Sequence, residues 1–211
     1  MARSRIAILI PAYNEELSIG KVVKLSLKFG SVIVVDDGSN DKTFDNAKSA
    51  GAAVIRHSQN KGYDKALQTG YNYVIEKKFN FLITLDADGQ HNPKDINLFI
   101  KELNDGASAV VGIRKKKQRF MEYVFSWITK LRWGISDPLC GMKAYKIESI
   151  KNSNCFNSIY SIGTNLMIYC LKKNLLVRQV QIKEKSRVGI SRFGKTIYSN
   201  LKILFAIVLS L

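Results

Sequence analysis

Five short apolar runs rich in β-branched residues punctuate the first half of the chain: RIAILI (5–10), VIVV (32–35), AAVIRH (52–57), FLITL (81–85) and SAVVGI (108–113). Runs of this length, without a helical period, read as strands. The stretches between them, roughly 15–29, 41–50, 63–78 and 94–104, carry helical patterning. Asn40 or Asp41 stands where the second would be capped, and Pro93 falls near the first turn of the fourth. Strand and helix therefore alternate. That alternation predicts an α/β fold of βαβ units, a Rossmann-like and mostly parallel sheet with helices on both faces. Ligands of such sheets sit beyond the carboxyl ends of the strands.

Polar residues stand at those ends. PAYNE (11–15) follows the first run, DDGSND (36–41) the second, DADGQ (86–90) the fourth, and Arg114 the fifth. Asp86 and Asp88, two apart where a strand gives way to a turn, can face one hard cation, and Gln90 adds a third oxygen. Such donors suit Mg²⁺ or Mn²⁺, and an ion held by so few protein oxygens keeps positions open for a diphosphate. His91 reads as a solvent-facing turn residue, since imidazole is not the favoured partner of these ions. Asp36 and Asp37 read either as partners of a base or ribose, or as a turn and helix cap. Neither GxGxxG nor GxxxxGK[ST] occurs, so the two familiar glycine loops for phosphate are absent and phosphate must be held by metal and arginine.

Charge sharpens the division of the chain. The 33 basic and 17 acidic residues split as 14 and 13 over residues 1–110 and as 19 and 4 over the remainder, so nearly all of the net +16 lies in the second half. A surface this one-sided suits polyanions: anionic lipid headgroups, phosphorylated substrates or nucleic acid. No nucleic-acid motif is visible, which leaves a noncatalytic nucleic-acid or membrane-binding module as the weaker reading. RKKKQRFMEYVFSWITKLRWG (114–134) interleaves basic residues with aromatics. It is either a membrane-surface helix or an amphipathic helix whose aromatics enter the core. The tail 196–211 is apolar from Ile203 onward but shorter than a transmembrane helix requires, and reads as a membrane-associated segment after a single domain spanning 1–195, either lying on the membrane or starting a spanning helix. Cys140, Cys155 and Cys170 form no close pair and read as buried thiols in a reducing compartment. With RIAILI so near the start, no leader is expected, and the expected location is the cytoplasmic face of a membrane.

PAYNEE, VVDDGSNDKT, HSQNKGYDKALQTG, DADGQHNP, SDPLCGMKAY and RVGISR, in that order and spacing, resemble the inverting glycosyltransferases of family 2, and within it the dolichol-phosphate mannose synthase and polyprenyl-phosphate glycosyltransferase branch. The resemblance covers about residues 5–195 and implies a GT-A fold with a metal-binding Asp-x-Asp. It implies that Pro11, Tyr13, Glu15, Val35 and Asp37 form the nucleoside pocket, and that Asp86, Ala87, Asp88 and Gln90 hold metal and diphosphate. Arg114 matches a phosphate-contacting arginine, while Arg132, Arg187 and Arg192 are candidates for the acceptor phosphate. RVGISR resembles the family's R-x-x-G-x-S-K, one residue shorter before its glycine and with arginine at the end. The implied reaction moves a hexose from a nucleotide diphosphate sugar, of GDP-mannose or UDP-glucose type, to a polyprenyl or dolichyl phosphate. Were the acceptor a sugar hydroxyl instead, a carboxylate base would be needed, and Asp137 is the candidate.

Overall fold

The computed structural model describes residues 5–115, 117, 120–153 and 162–185. Arg187, Arg192 and the apolar tail lie outside the described residues, so the expectations placed on them carry no structural account. The five predicted strands are present as β1 (Ile6–Ala12), β2 (Ser31–Asp36), β3 (Ala53–Arg56), β4 (Phe81–Thr84) and β5 (Ala109–Ile113). The four helical stretches are α1 (Ile19–Ser26), α2 (Thr43–Ser49), α3 (Tyr63–Glu76) and α4 (Ile96–Asn104), the last entered through a 3-10 turn at Pro93–Asp95. Asn92 caps that turn by accepting from the Lys94 N–H at 3.3 Å. Beyond them come α5 (Phe120–Trp133), β6 (Lys143–Lys146), α6 (Ile147–Ile150), α7 (Ile162–Lys172) and β7 (Val177–Gln181).

The strands form one sheet in the order β3-β2-β1-β4-β6-β5-β7. β1, β2, β3 and β4 pair in parallel, and β5 pairs in parallel with β7, while β6 runs antiparallel to both neighbours. The uninterrupted apolar runs explain the middle of the sheet: Ile8, Leu9, Ile10, Ile33, Leu82, Ile83 and Val110 are buried because these strands are covered on both faces. β3 and β7 are only half-buried, as edge strands are. By the right-handed rule for such crossovers, α1 and α2, which pack against each other, share one face, and α3, whose connection runs back past β2 and β1 to β4 and which packs on β1, lies on the other. Gly70 of α3 lets that helix settle on β1, since a Cβ there would come within 2.1 Å of Leu9 Cδ1.

Two consequences place the site. Strand order reverses between β1 and β4, so a crevice opens beyond their carboxyl ends. Because β6 is antiparallel, with Lys143 opposite Thr84, the turn that precedes it arrives at that same edge. Residues 137–142 therefore meet the acidic loop after β4. β6 and β7 escape sequence reading for a local reason: KAYK and VRQVQ are short and carry polar residues at apolar-looking spacing. Among the described residues no helix is long and apolar enough to cross a membrane.

Candidate functional site

The loops after β1, β2 and β3, on which the sequence resemblance places the nucleoside, lie together at one end of the site. Pro11 and Val35 are buried and paired across β1 and β2, and Tyr13 and Glu15 sit half-buried in the loop that follows. Asn14 adopts φ +51° and ties this loop to the next: its N–H donates to Ser39 Oγ at 2.8 Å and its Oδ1 accepts from the Asn40 N–H at 2.8 Å. The Glu15 N–H donates to Thr43 Oγ1 at 2.7 Å. Asp36 is buried, accepts from the Ser39 N–H at 3.0 Å and pairs with Arg56 Nε at 3.2 Å.

Asp37 organises the third loop. Its Oδ1 lies 2.6 Å from His57 Nδ1 and accepts from the Lys61 N–H at 2.9 Å, while Oδ2 accepts from the Gly62 N–H at 2.7 Å. His57 Nε2 in turn lies 2.9 Å from Thr69 Oγ1. With the Asp37 carboxylate accepting, His57 Nδ1 is the donor of the pair. One buried carboxylate thus joins β2, β3 and α3. Gly38, at φ +75°, permits the crossing, since a Cβ there would lie 2.6 Å from the Gln59 carbonyl carbon. A cleft of about 330 Å³ opens beside it, lined by Gly38, Ser39, Asn40, Arg56, His57 and Ser58.

The acidic loop after β4 forms the centre. Asp86 is about a third exposed, and its Oδ1 accepts from the Tyr63 hydroxyl at 3.2 Å. Tyr63 is 38% exposed as a whole, and crowding around its hydroxyl, then the Asp86 charge, raises the hydroxyl's pKa. Ala87 is buried, and Asp88, also buried, turns its Oδ1 back to accept from the Gln90 N–H at 3.0 Å, closing the loop around Gly89. His91 departs from the expectation of a solvent-facing bystander. It is buried, with Nδ1 3.4 Å from the Asp86 backbone nitrogen and 3.6 Å from Asp86 Oδ2, because the chain after β7 crosses over it. That crossing pairs His91 with Glu184 in a bridge, and the Lys185 N–H donates to the Gln90 carbonyl at 2.8 Å. On the other side Gly141 leaves room for Asp86, since a Cβ there would approach Oδ2 to 2.1 Å. Asp86 and Asp88 supply the carboxylate chemistry that a hard divalent cation takes, with Gly141 leaving room beside Asp86; among the described residues no group of three or more histidine, cysteine or acidic side chains is gathered to hold a metal ion.

The third part is an ion cluster at the end of β5. The Arg114 backbone N–H and Nε donate to Asp137 Oδ2 at 3.1 and 2.8 Å, and Nη2 donates to Asp137 Oδ1 at 2.9 Å and to Glu122 Oε2 at 3.0 Å. Asp137 is fully buried and Glu122 nearly so. Burial works against the guanidinium charge, but the Asp137 hydrogen bonds and charge, with Glu122 behind them, outweigh it and raise the arginine's pKa further. Nε and Nη2 serve these carboxylates, which fixes the direction of the remaining edge. Below lies Lys143, buried, donating through Nζ to the Cys140 carbonyl at 2.7 Å. Burial lowers its pKa, and Asp137 and Asp86 oppose that shift. Burial, and then Asp137, pushes the Cys140 thiol up to about 12. Burial likewise raises Glu184.

The structure thus brings Asp86, Asp88, Gln90, Arg114 and Asp137 to one edge, with Pro11, Tyr13, Glu15, Val35 and Asp37 beside them. Arg132 is placed apart: it is exposed in the last turn of α5, its guanidinium 5.0 Å from the Trp133 ring, about 15 Å along the helix from Glu122 at 1.5 Å per residue. Residue patterns did not single out His57, Tyr63, Glu122, Lys143 or Glu184. Glu122 left one trace, as the sole acid in an aromatic and basic stretch.

A model of the glycosyl transferase family 2 domain matches residues 7–157. An uncharacterized protein of Methanocaldococcus jannaschii is 32% identical over 98% of this chain and 92% of its own length. The UDP-N-acetylglucosamine–dolichyl-phosphate N-acetylglucosaminyltransferase of Methanococcus voltae is 30% identical over 87% of this chain and 86% of its own. Among solved structures, glucosyl-3-phosphoglycerate synthase of Mycobacterium tuberculosis, in complex with Mn²⁺, UDP and phosphoglyceric acid, superposes with a TM-score of 0.77 at 19% identity, covering 98% of this chain and 79% of that one. At that identity it shows the fold, a GT-A fold, as the Asp-x-Asp resemblance implied. With the family model matching most of its length and the acidic loop, Arg114 and the nucleoside loops gathered at one sheet edge, this chain belongs to glycosyl transferase family 2 and is a glycosyltransferase.

Proposed function

We propose that this enzyme transfers a hexose from a nucleoside diphosphate sugar to a polyprenyl phosphate, with inversion at the anomeric carbon. Relatives named for dolichyl-, undecaprenyl- and dodecaprenyl-phosphate acceptors support the acceptor class. The observation that carries it over a hydroxyl acceptor is the state of Asp137. The candidate base is fully buried and both its oxygens are taken by Arg114. A hydroxyl acceptor needs a base, whereas a phosphate monoester, with a second pKa of about 6, is already largely ionised near neutral pH.

Asp86, Asp88 and Gln90 are the residues that would hold Mg²⁺ or Mn²⁺, whose chemistry when bound is to neutralise the departing diphosphate. The loops bearing Pro11, Tyr13, Glu15, Val35 and Asp37 orient the nucleoside. In the step itself an acceptor phosphate oxygen forms a bond to the anomeric carbon as the bond from that carbon to the donor's β-phosphate oxygen breaks. Negative charge gathers on the leaving nucleoside diphosphate, and Arg114, pre-aimed by Asp137 and Glu122, meets it without reorganising. The Asp86 side chain is held in line by Tyr63 on one side and kept unobstructed by Gly141 on the other.

The test is transfer to a short-chain, water-dispersible polyprenyl phosphate with Mn²⁺ or Mg²⁺, using UDP-N-acetylglucosamine, UDP-glucose and GDP-mannose in turn. Product with one donor, lost in Asp88→Asn, is expected. A folded sample that binds a nucleoside diphosphate with Mn²⁺ yet transfers to no polyprenyl phosphate would overturn the acceptor assignment.

A further inference from the structure

Neither the core nor the proposed step makes use of Lys143. Among the described residues it is the one lysine or arginine that is buried, at 4% exposure. Lysine is seldom buried without an ion-pair partner, because taking an ammonium out of water is costly. Nζ nevertheless forms no ion pair among the described residues, and donates to the neutral Cys140 carbonyl at 2.7 Å. Methionine has a similar length and would fill the same space without that cost, so packing gives no reason for a lysine. A buried titratable group set among the charges of a cleft marks a functional role.

The backbone fixes where that charge stands. Lys143 opens β6 and pairs with Thr84, the last residue of β4, two positions before Asp86. The Thr84 hydroxyl donates to the Gly141 carbonyl at 2.8 Å and accepts from the Lys143 N–H at 3.2 Å, which locks the turn before β6 against the root of the acidic loop. Burial opposes the ammonium, while Asp137 and Asp86 both favour it, so it stands in the field of both carboxylates and is bonded to neither. The surroundings are acidic. Asp86, Asp88, Asp137 and Glu122 gather at this edge, and the guanidinium of Arg114 already serves the last two. A nucleoside diphosphate must approach these acids, and in a site with little water a fixed charge acts across several ångströms.

We propose that Lys143 is a built-in counter-charge of the acidic loop: without contacting substrate, it sets the balance between the site's affinity for a divalent cation and its affinity for the anionic diphosphate. The inference rests on the reading that Asp86 and Asp88 meet the cation and the diphosphate, and it is independent of the acceptor. Its signature is a pair of opposite effects. Removing one positive charge favours a bound cation and disfavours a bound anion, whereas a damaged cradle weakens both.

Two variants of the full chain test it. Lys143→Met removes the charge and keeps the length, and Lys143→Gln removes the charge and keeps a donor for the Cys140 carbonyl. Calorimetry titrates Mn²⁺ alone, and then UDP or GDP, whichever the parent binds, at saturating Mn²⁺. In both variants Mn²⁺ should bind about tenfold more tightly and the nucleoside diphosphate about tenfold more weakly. The melting temperature of Lys143→Met without ligand should equal or exceed that of the parent, since an apolar side chain replaces a buried charge. Unchanged affinities, a loss of affinity for both ligands, or a Lys143→Gln chain that matches the parent would each overturn the proposal, the last by assigning the role to the hydrogen bond instead of the charge. A parent chain that binds neither Mn²⁺ nor a nucleoside diphosphate would sink the reading of the acidic loop, and the proposal with it.

Discussion

Asp137→Asn separates a residue that positions Arg114 from one that deprotonates an acceptor. The change keeps the shape and one acceptor oxygen but places an amide NH₂ against the guanidinium, and it removes a full charge from a carboxylate that is fully buried against an arginine whose side chain is 9% exposed. Three Arg114 hydrogen bonds end on this carboxylate, at 2.8, 2.9 and 3.1 Å, and one on Glu122 at 3.0 Å. Breaking a buried ion pair on one side costs about 3–5 kcal/mol. The surviving Glu122 contact puts the expectation near the lower end, about 3 kcal/mol, which in a chain of this size lowers Tm by roughly 6–12 °C. Glu122→Gln should move Tm the same way by less, since one hydrogen bond is at stake rather than three.

Activity follows from geometry. A loosened Arg114 no longer meets the developing diphosphate charge, so a loss of about 10²–10³ in kcat is expected, as for removal of one pre-aimed electrostatic donor. Donor affinity should fall with it, because the same arginine faces the ground-state diphosphate. Thermal unfolding, calorimetric titration of nucleoside diphosphate with Mn²⁺, and steady-state transfer give the three readouts. The triple replacement Arg114→Met, Glu122→Gln, Asp137→Leu, which leaves none of the three carboxylate and guanidinium charges stranded, should recover much of the stability and none of the activity. An Asp137→Asn enzyme with wild-type Tm and donor affinity but without turnover would refute this reasoning and make Asp137 the base for a hydroxyl acceptor.

Further expectations bear on the remaining parts of the site. Gly141→Ala drives a methyl into the space Asp86 occupies, so binding of Mn²⁺ with nucleoside diphosphate should weaken at least tenfold by calorimetry, and unchanged affinity would remove the glycine from the cradle. His57→Phe removes one of the three hydrogen bonds to buried Asp37, which keeps the Lys61 and Gly62 N–H donors, and the partner of half-buried Thr69, so it should cost about 1–3 kcal/mol in urea unfolding. A smaller effect would mean that solvent reaches Asp37. For Cys140 the folded pKa, about 12, lies above the ordinary 9.0. Its stabilising contribution is therefore complete below about pH 9 and is lost as pH rises toward 12, at up to about 1.4 kcal/mol per unit. Urea unfolding between pH 9 and 11 should show a shallower decline in Cys140→Ala than in the parent, and parallel curves would contradict the assignment.

The division between what the chain's pattern announces and what its packing decides runs along physical lines. The five apolar runs were legible as strands because burial on both faces demands uninterrupted apolar residues. By sequence alone, then, a mostly parallel sheet was determined, and with it the placing of Asp86, Asp88 and Gln90 beyond the carboxyl end of β4. β6 was not, since four residues bearing two lysines look like a loop until β4 and β5 close around them. Its antiparallel sense brings Asp137 and Gly141 to the acidic loop, 57 residues from Thr84 to Gly141 along the chain. Tertiary structure also turned His91 inward, engaged Asp37 with His57, and joined Asp137, the candidate base, to Arg114. Each of these depends on which side chain faces which across segments far apart in sequence. Periodicity fixes only the face of an element, whereas the partner of a charge is chosen by the packing that removes water from both.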